Sequence, residues 1–131
     1  MNILAIDDNV LALEELVSSI NEACPSDSVC SFSRPSELLD YAKENACDIA
    51  FLDIEMWGMN GIELAEKLKE IHDKISIVFV TGYSQYAPDS HTVKASGYVM
   101  KPVTKDVVKE ILENLHRPVR TEPDKRVRVQ T

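Results

Sequence analysis

The residues best suited to chemistry in this sequence are carboxylates that directly follow apolar runs. Asp53 ends the run Asp48–Asp53, and Asp7 and Asp8 follow the run Asn2–Ile6. A continuous apolar run is typical of a strand buried on both faces of a parallel sheet. The carboxyl ends of such strands line the crevice in which open α/β folds bind ligands. We therefore expect these three acids to meet at one edge of a sheet.

Three carboxylates placed this close together need a counter-charge. At ~5 Å and an effective dielectric constant of ~20, each pair repels by about 3 kcal/mol. A hard cation such as Mg2+ relieves that repulsion through oxygen ligands and can also bind water and a substrate phosphate. Two further groups follow later apolar runs, Thr81 after Ile75–Val80 and Lys101 after Gly97–Met100. Their hydroxyl and ammonium groups can each bind a phosphate oxygen.

This set of side chains favours phosphoryl transfer to a carboxylate, with Asp53 as the nucleophile. Carboxylates can accept a phosphoryl group, and the transfer needs mainly positioning and charge neutralisation. Each feature also has an ordinary explanation: Asp7-Asp8 as a helix cap, Thr81-Gly82 as a turn, and Lys101-Pro102 as part of a loop. Their joint occurrence at separate strand ends is what indicates a site.

Alternating strands and helices must hold these side chains in place. The predicted strands are 2–6, 28–32, 48–53, 75–80 and 97–100. Apolar residues spaced three and four apart predict helices at 10–23, 35–44, 62–71, 84–95 and 104–116. The helix at 84–95 is the weakest, because Pro88 lies inside it. Five strand–helix repeats predict an α/β fold, in which a parallel sheet carries helices on both faces.

Composition and charge restrict the class of protein. The 131 residues are enough for one domain with a real core. We expect a cytoplasmic protein without membrane association, because no apolar run reaches membrane-spanning length and the N-terminus lacks a signal-peptide pattern. Cys24, Cys30 and Cys47 are scattered, which predicts reduced thiols. Residues 1–116 carry 9 basic and 20 acidic side chains, a net charge of −11 that would repel a nucleic-acid backbone.

The segment 117–131 differs from the rest of the chain. It carries a net charge of +3 and contains Pro118 and Pro123. Residues 126–130 alternate apolar and polar side chains as a strand does. We predict one domain over residues 1–116, followed at 117–131 by a linker and the start of a further domain. A frayed basic tail is the alternative.

Taken together, the motifs resemble the receiver domain of bacterial two-component response regulators over residues 2 to about 116. Asp7-Asp8 is similar to that family's acidic pair and Asp53 to its phosphorylated aspartate. The segment 53–61, Asp-Ile-Glu-Met-Trp-Gly-Met-Asn-Gly, is similar to its loop Asp-x-x-Met-Pro-Gly-Met-x-Gly. The family's switch hydroxyl, switch aromatic residue and lysine–proline step are matched by Thr81, Tyr98 and Lys101-Pro102.

The resemblance implies a fold and a set of site residues. The fold is the flavodoxin-like, doubly wound (βα)5 sandwich, with a five-stranded parallel sheet in the order 2-1-3-4-5. Lys101 and Thr81 would hold the phosphoryl oxygens, and Tyr98 would follow Thr81 inward when Asp53 is phosphorylated. The implied Mg2+ ligands are the side chains of Asp7, acting partly through water, Asp8 and Asp53, together with the backbone carbonyl of Glu55.

The resemblance also implies partners. A sensor histidine kinase would supply the phosphoryl group. The switch would repack the face formed by the fourth helix, the fifth strand and the fifth helix, through which such domains form homodimers. Residues 126–131 resemble the first strand of a winged-helix output domain, which implies a DNA-binding regulator of transcription. The receiver itself would not bind nucleic acid, and its only reactions would be self-phosphorylation and autodephosphorylation.

One departure from the family pattern and two alternative functions remain. Trp57 stands where the family has proline, which frees the loop backbone and adds an apolar surface near Asp53. An aspartyl-phosphate phosphatase is the first alternative, because Glu55 lies two residues after the nucleophile. No cap-like insertion accompanies it. A binding-only module of flavodoxin shape is the second, although acids replace the phosphate-binding loop after the first strand.

Overall fold

A five-stranded parallel sheet forms the centre of the molecule. The computed structural model describes residues 1–56, 58–82 and 95–116. Numbered along the chain, its strands lie in the order 2-1-3-4-5, as predicted. The strands are β1 Asn2–Ile6, β2 Ser28–Phe32, β3 Ile49–Asp53, β4 Ser76–Thr81 and β5 Gly97–Met100, and the described helices are α1 Val10–Ala23, α2 Pro35–Glu44, α3 Gly61–Ile71 and α4 Lys105–His116.

Side-chain alternation along the strands builds two cores. Ala50 and Leu52 of β3 belong to the core beneath α2 and α3, whereas Ile49 and Phe51 belong to the core beneath α1 and α4. Every residue of β3 is buried. This explains why the strand reads as a continuous apolar run rather than as an alternating pattern.

Local signals in the sequence set where the helices begin. Asn9 caps α1 by accepting a hydrogen bond from the backbone N–H of Ala12. Asn60 and Glu63 form a capping box at the start of α3. Thr104 Oγ1 accepts from the backbone N–H of Val107 at 3.3 Å and so caps the start of α4.

Several predictions differ from the structure or lie outside it. Strand β4 covers Ser76–Thr81, one residue later than predicted, so Thr81 is its last residue rather than the residue after it. Trp57, nearly all of the predicted helix at 84–95, and the segment 117–131 lie outside the described residues. The three cysteines are free, as expected. No helix within the described ranges is long and apolar enough to cross a membrane.

Candidate functional site

Three carboxylates meet at the carboxyl edge of the sheet. Asp53 ends β3, and Asp7 and Asp8 follow β1, the neighbouring strand. One carboxylate oxygen from each residue lies within 4.8 Å of those of the other two. Asp7 and Asp53 are buried, and Asp8 is half-buried. These acids open into a cleft of about 390 Å³, whose lining residues are Asp7, Asp8, Asn9, Asp53, Glu55, Gly82 and Lys101.

Lys101 supplies positive charge to this cleft. Its Nζ lies 2.8 Å from Asp7 Oδ2 and 3.4 Å from Asp53 Oδ1. The backbone N–H of Lys101 donates to the carbonyl oxygen of Thr81 at 2.9 Å, which ties the end of β5 to the end of β4. The Lys101–Pro102 peptide bond is cis. By these two distances, the ammonium group is closer to Asp7 than to Asp53, the predicted nucleophile.

Thr81 lies on β4, the strand beside β3, and Tyr98 lies on β5, the next strand along the sheet. Asp53 is paired with Val80 in the parallel register, so Thr81 is the next residue along that strand and is buried. The ring of Tyr98 packs on Phe79, with ring centroids 5.7 Å apart, and the residue is 36% exposed. Thr81 thus stands beside the cleft, while Tyr98 lies at the surface of the same sheet edge.

Glu55 and Asn9 also line the cleft, and of these two only Glu55 was predicted as a site residue. Glu55 is exposed and lines the cleft, as expected for a residue in the loop after β3. Asn9 also lines the cleft, although only its neighbours Asp7 and Asp8 were predicted to belong to the site. Its backbone N–H donates to Asp7 Oδ1 at 2.9 Å, so it also orients one of the acids. Asn9 belongs to the same short polar segment as Asp7 and Asp8, and this position is the signal from which its place in the cleft could have been predicted.

Burial and the neighbouring acid make it difficult to ionise Asp53. The pKa of Asp53 is raised from 3.8 to about 7, first by burial and then by the negative charge of Asp7, against the opposing effect of Lys101. Burial lowers the pKa of Lys101, but its contacts with Asp7 and Asp53 outweigh that effect and raise it. The site therefore contains a firmly charged ammonium group and fewer positive charges than carboxylates.

The acidic cluster has the properties of a metal site. Buried Asp7 Oδ2 lies 2.8 Å from Lys101 Nζ, and this ammonium group is shared with Asp53, so one lysine charge serves a cluster of three carboxylates. Buried carboxylate oxygens normally have a hydrogen-bond donor or a cation. Three carboxylates converging on a wet cleft are also the oxygen donors that a hard divalent cation prefers. These side chains fit a bound cation of that class.

The raised pKa of Asp53 predicts a pH-dependent cost to stability. In the unfolded chain an aspartate ionises near ~3.9, whereas in the fold Asp53 keeps its proton until about 7. Without metal, the wild type should therefore lose stability as pH rises from about 4 to 7, and Asp53→Asn should not share this loss. A pKa difference of one unit between the folded and the unfolded chain corresponds to about 1.4 kcal/mol of stability. Since the network can relax, we expect the variant to be more stable by about 2 kcal/mol at pH 8.

Urea unfolding in EDTA, measured at pH 4 and pH 8, checks this expectation. The stability difference between Asp53→Asn and wild type should be small at pH 4 and should level off above about pH 7. A difference that is equal at the two pH values would contradict it.

Gly61 brings the start of α3 against the backbone of Asp53. A Cβ at Gly61 would meet the carbonyl oxygen of Asp53, and would lie 2.9 Å from both Asp53 C and Ile54 Cα. The backbone N–H of Gly61 donates to the carbonyl oxygen of Ile54 at 2.8 Å. The glycine in this loop motif is thus a close-packing requirement of the site. The neighbouring Gly58 has a φ of +83°, a backbone conformation that is strained for residues other than glycine.

Comparison with known proteins gives a consistent family. Residues 3–113 match the family described as "response regulator receiver domain". The sensory transduction protein LytT of Enterococcus faecalis is 32% identical over 113 residues, which are 86% of this chain and 47% of that protein. The transcriptional regulatory protein LytR of Staphylococcus aureus is 34% identical over 102 residues, 78% of this chain and 42% of that protein. The chain thus spans less than half the length of these curated relatives.

Solved structures agree with the fold. The response regulator protein TrrA of Thermotoga maritima, crystallised in complex with Mg2+ and BeF, has a TM-score of 0.77 and 29% identity, over 87% of this chain and 97% of that one. A CheY-like receiver domain protein from Methanospirillum hungatei has a TM-score of 0.76 and 27% identity, over 87% and 92% of the two chains.

Proposed function

Because the chain belongs to the response regulator receiver domain family, the phosphorylation-activated switches of two-component signalling, we propose that Asp53 is its phosphoacceptor. The observation that supports this is the position of Asp53: it is buried at the end of the central strand, with Asp7 and Lys101 beside it. The cleft above it leaves room for a phosphoryl group.

Mg2+ is the cation that we assign to the acidic cluster. The side chains of Asp7, Asp8 and Asp53 and the backbone carbonyl of Glu55 would hold it. When bound, it offsets the repulsion between the carboxylates and the incoming phosphate. The convergence of three carboxylates on one cleft and the Mg2+ complex of TrrA support this assignment.

In the reaction, an Asp53 carboxylate oxygen attacks phosphorus as the bond to the leaving group breaks. With a histidine kinase as donor this is a P–N bond, and with acetyl phosphate it is a P–O bond that releases acetate. Lys101 moves its ion pair to a phosphoryl oxygen, since an ammonium group can pair with either anion. Thr81 donates its hydroxyl to another phosphoryl oxygen. The acyl phosphate later hydrolyses, so the chain is a signalling domain rather than an enzyme with a separate substrate.

The switch operates through Thr81 and Tyr98. Movement of Thr81 toward the phosphoryl group opens space beside β4, and Tyr98, now 36% exposed, turns inward to fill it. The face predicted to comprise the helix at 84–95, β5 and α4 changes its packing as a result, and a homodimer forms there. Phosphorylation only shifts an existing equilibrium, through contacts that differ between the two states.

The whole protein, in this proposal, is a cytoplasmic DNA-binding regulator of transcription phosphorylated by a sensor histidine kinase. Residues 1–116 are the receiver, and 117–131 are the linker and the start of an output domain. The lengths of LytT and LytR, about twice that of the matched part, support a longer parent chain. The net charge of −11 over residues 1–116 leaves DNA binding to the output domain.

The function is tested by incubating the protein with acetyl phosphate and Mg2+ and recording its intact mass. A gain of one phosphoryl group that hydroxylamine removes identifies an acyl phosphate. The absence of any gain, while a known receiver is labelled in parallel, would refute the proposal. Rapid multiple turnover of phosphate esters would favour the aspartyl-phosphate phosphatase instead.

Metal binding makes a separate prediction. Adding Mg2+ at about ten times its dissociation constant should stabilise the wild type by about 1.4 kcal/mol, and EDTA should reverse this. Asp8→Asn removes one ligand and should weaken the effect, whereas Asp40→Asn, an exposed aspartate on α2, should leave it unchanged. Thermal unfolding at several Mg2+ concentrations measures both. Equal stabilisation of the two variants would contradict binding at this cluster.

A further inference from the structure

Ser19 is a buried polar residue on α1. Among the residues that the structure describes, the buried polar or charged side chains are Asp7, Ser19, Asp53 and Thr81. The other three belong to the carboxyl edge of the sheet, but Ser19 lies in the third turn of a helix. Its neighbour Ser18 is exposed. A buried hydroxyl needs a hydrogen-bond partner.

The partner of Ser19 lies on the loop between β5 and α4. Ser19 Oγ donates to the carbonyl oxygen of Val103 at 3.1 Å, in a buried bond between residues 84 positions apart. A helical serine often bonds instead to the carbonyl four residues earlier in its own helix. The Val103 carbonyl lies outside any helix or strand, and losing its donor would leave it buried and unsatisfied. The bond therefore ties α1 to this loop.

The tied loop is the one that carries Lys101. Val103 lies two residues after Lys101, and its side chain packs in the same core as Val108 of α4. On the other side, the backbone N–H of Lys101 donates to the carbonyl oxygen of Thr81. The main chain from which the lysine extends is thus fixed at β4 on one side and at α1 on the other.

We propose that Ser19 is a positioning residue for phosphoryl transfer, acting through Lys101. The ammonium group lies 2.8 Å from Asp7 and 3.4 Å from Asp53, so a small shift of the loop changes which acid it reaches. Displacing a catalytic group by 1 Å can cost about 10²-fold in rate. This role rests on the proposed function of Asp53 as phosphoacceptor.

A double-mutant cycle between Ser19 and Lys101 tests the role, with acetyl phosphate and Mg2+ as reagents. At saturating acetyl phosphate, Ser19→Ala should lower the rate constant for phosphorylation about tenfold. In a Lys101→Ala background the same change should alter the rate by less than about twofold, because the group being positioned is gone. Ser18→Ala, the matched control, should leave the rate unchanged in both backgrounds, and Ser19→Thr, which keeps the hydroxyl, should recover most of it.

The outcomes separate this role from a structural one. A merely structural hydrogen bond predicts lower stability in urea with an equal slowing factor in both backgrounds, and that result would overturn the proposal. So would a wild-type rate for Ser19→Ala. If Ser19→Ala does not fold, Ser19→Cys, similar in volume and a weaker donor, takes its place.

The same assay distinguishes this failure from that of the proposed function. Labelling of the wild type that Asp53→Asn abolishes, together with an unchanged Ser19→Ala rate, rejects the role of Ser19 alone. A wild type that gains no phosphoryl group rejects both.

Discussion

Asp53→Asn is expected to gain no phosphoryl group from acetyl phosphate and Mg2+ under conditions that label the wild type fully. The amide is nearly the same shape as the carboxylate, but its oxygen is a poor nucleophile and would leave no stable acyl phosphate. The variant should stay folded, because a neutral amide replaces a buried carboxyl group whose pKa is already raised to about 7. Intact mass after incubation, with circular dichroism as a check on folding, measures the result.

Asp40→Asn is the matched control, since it makes the same chemical change at an exposed position on α2. It should be labelled like the wild type. Labelling that persists in Asp53→Asn and disappears in Asp7→Asn or Asp8→Asn would move the phosphoacceptor to another acid of the cluster and contradict the assignment.

The two expected properties of Asp53→Asn, inactivity and higher stability without metal, have one cause. Asp53 is placed in a buried position next to another acid, where the ionised form that the proposed attack on phosphorus needs is disfavoured. Lys101 offsets part of that cost by its ion pairs with Asp7 and Asp53. A bound cation would offset the remainder. Without it, the ionised form of Asp53 that the reaction needs is also the form that lowers the stability of the fold.

Much of this arrangement could be predicted from the sequence, because the parallel sheet converts strand ends into neighbours. β1 and β3 read as apolar runs, and an acid follows or ends each run. Once the strands are parallel and adjacent, Asp7 and Asp53 must meet at one edge. The same logic brings Thr81 and Lys101 to that edge. Strand bounds were accurate to one residue, since Gly, Pro, Asn and Asp residues mark the turns.

Other properties of the site depend on packing, which local patterns do not encode. Ser19 reads as an ordinary helical serine, and its bond to Val103 spans 84 positions. The preference of Lys101 for Asp7 over Asp53 depends on a few tenths of an ångström. The loop motif identified Gly61, but the reason for a glycine appears only when α3 is seen against the backbone of Asp53. Each of these is a contact between segments that are distant in the sequence or separated by a loop.

Gly61→Ala is expected to destabilise the protein by about 3 kcal/mol. By helix propensity alone this change would be favourable by about 1 kcal/mol, since alanine is the better helix former. The fold reverses the sign, because the new Cβ would overlap the Asp53 carbonyl oxygen and crowd Ile54 Cα at 2.9 Å. Both groups are main chain at the end of the central strand, so they cannot rotate away as a side chain would. Urea unfolding of the variant and the wild type measures the difference.

Gly82→Ala provides the matched control, because a Cβ at Gly82 has no atom of the described residues within 4 Å. It should change stability by less than about 0.5 kcal/mol. Gly61→Ala should also slow phosphorylation in whatever fraction stays folded, since relieving the overlap requires the Asp53 backbone or the start of α3 to move. Equal stability of the two variants would mean that α3 can shift freely at its first residue. The glycine in the loop would then reflect the turn before α3 rather than close packing against Asp53.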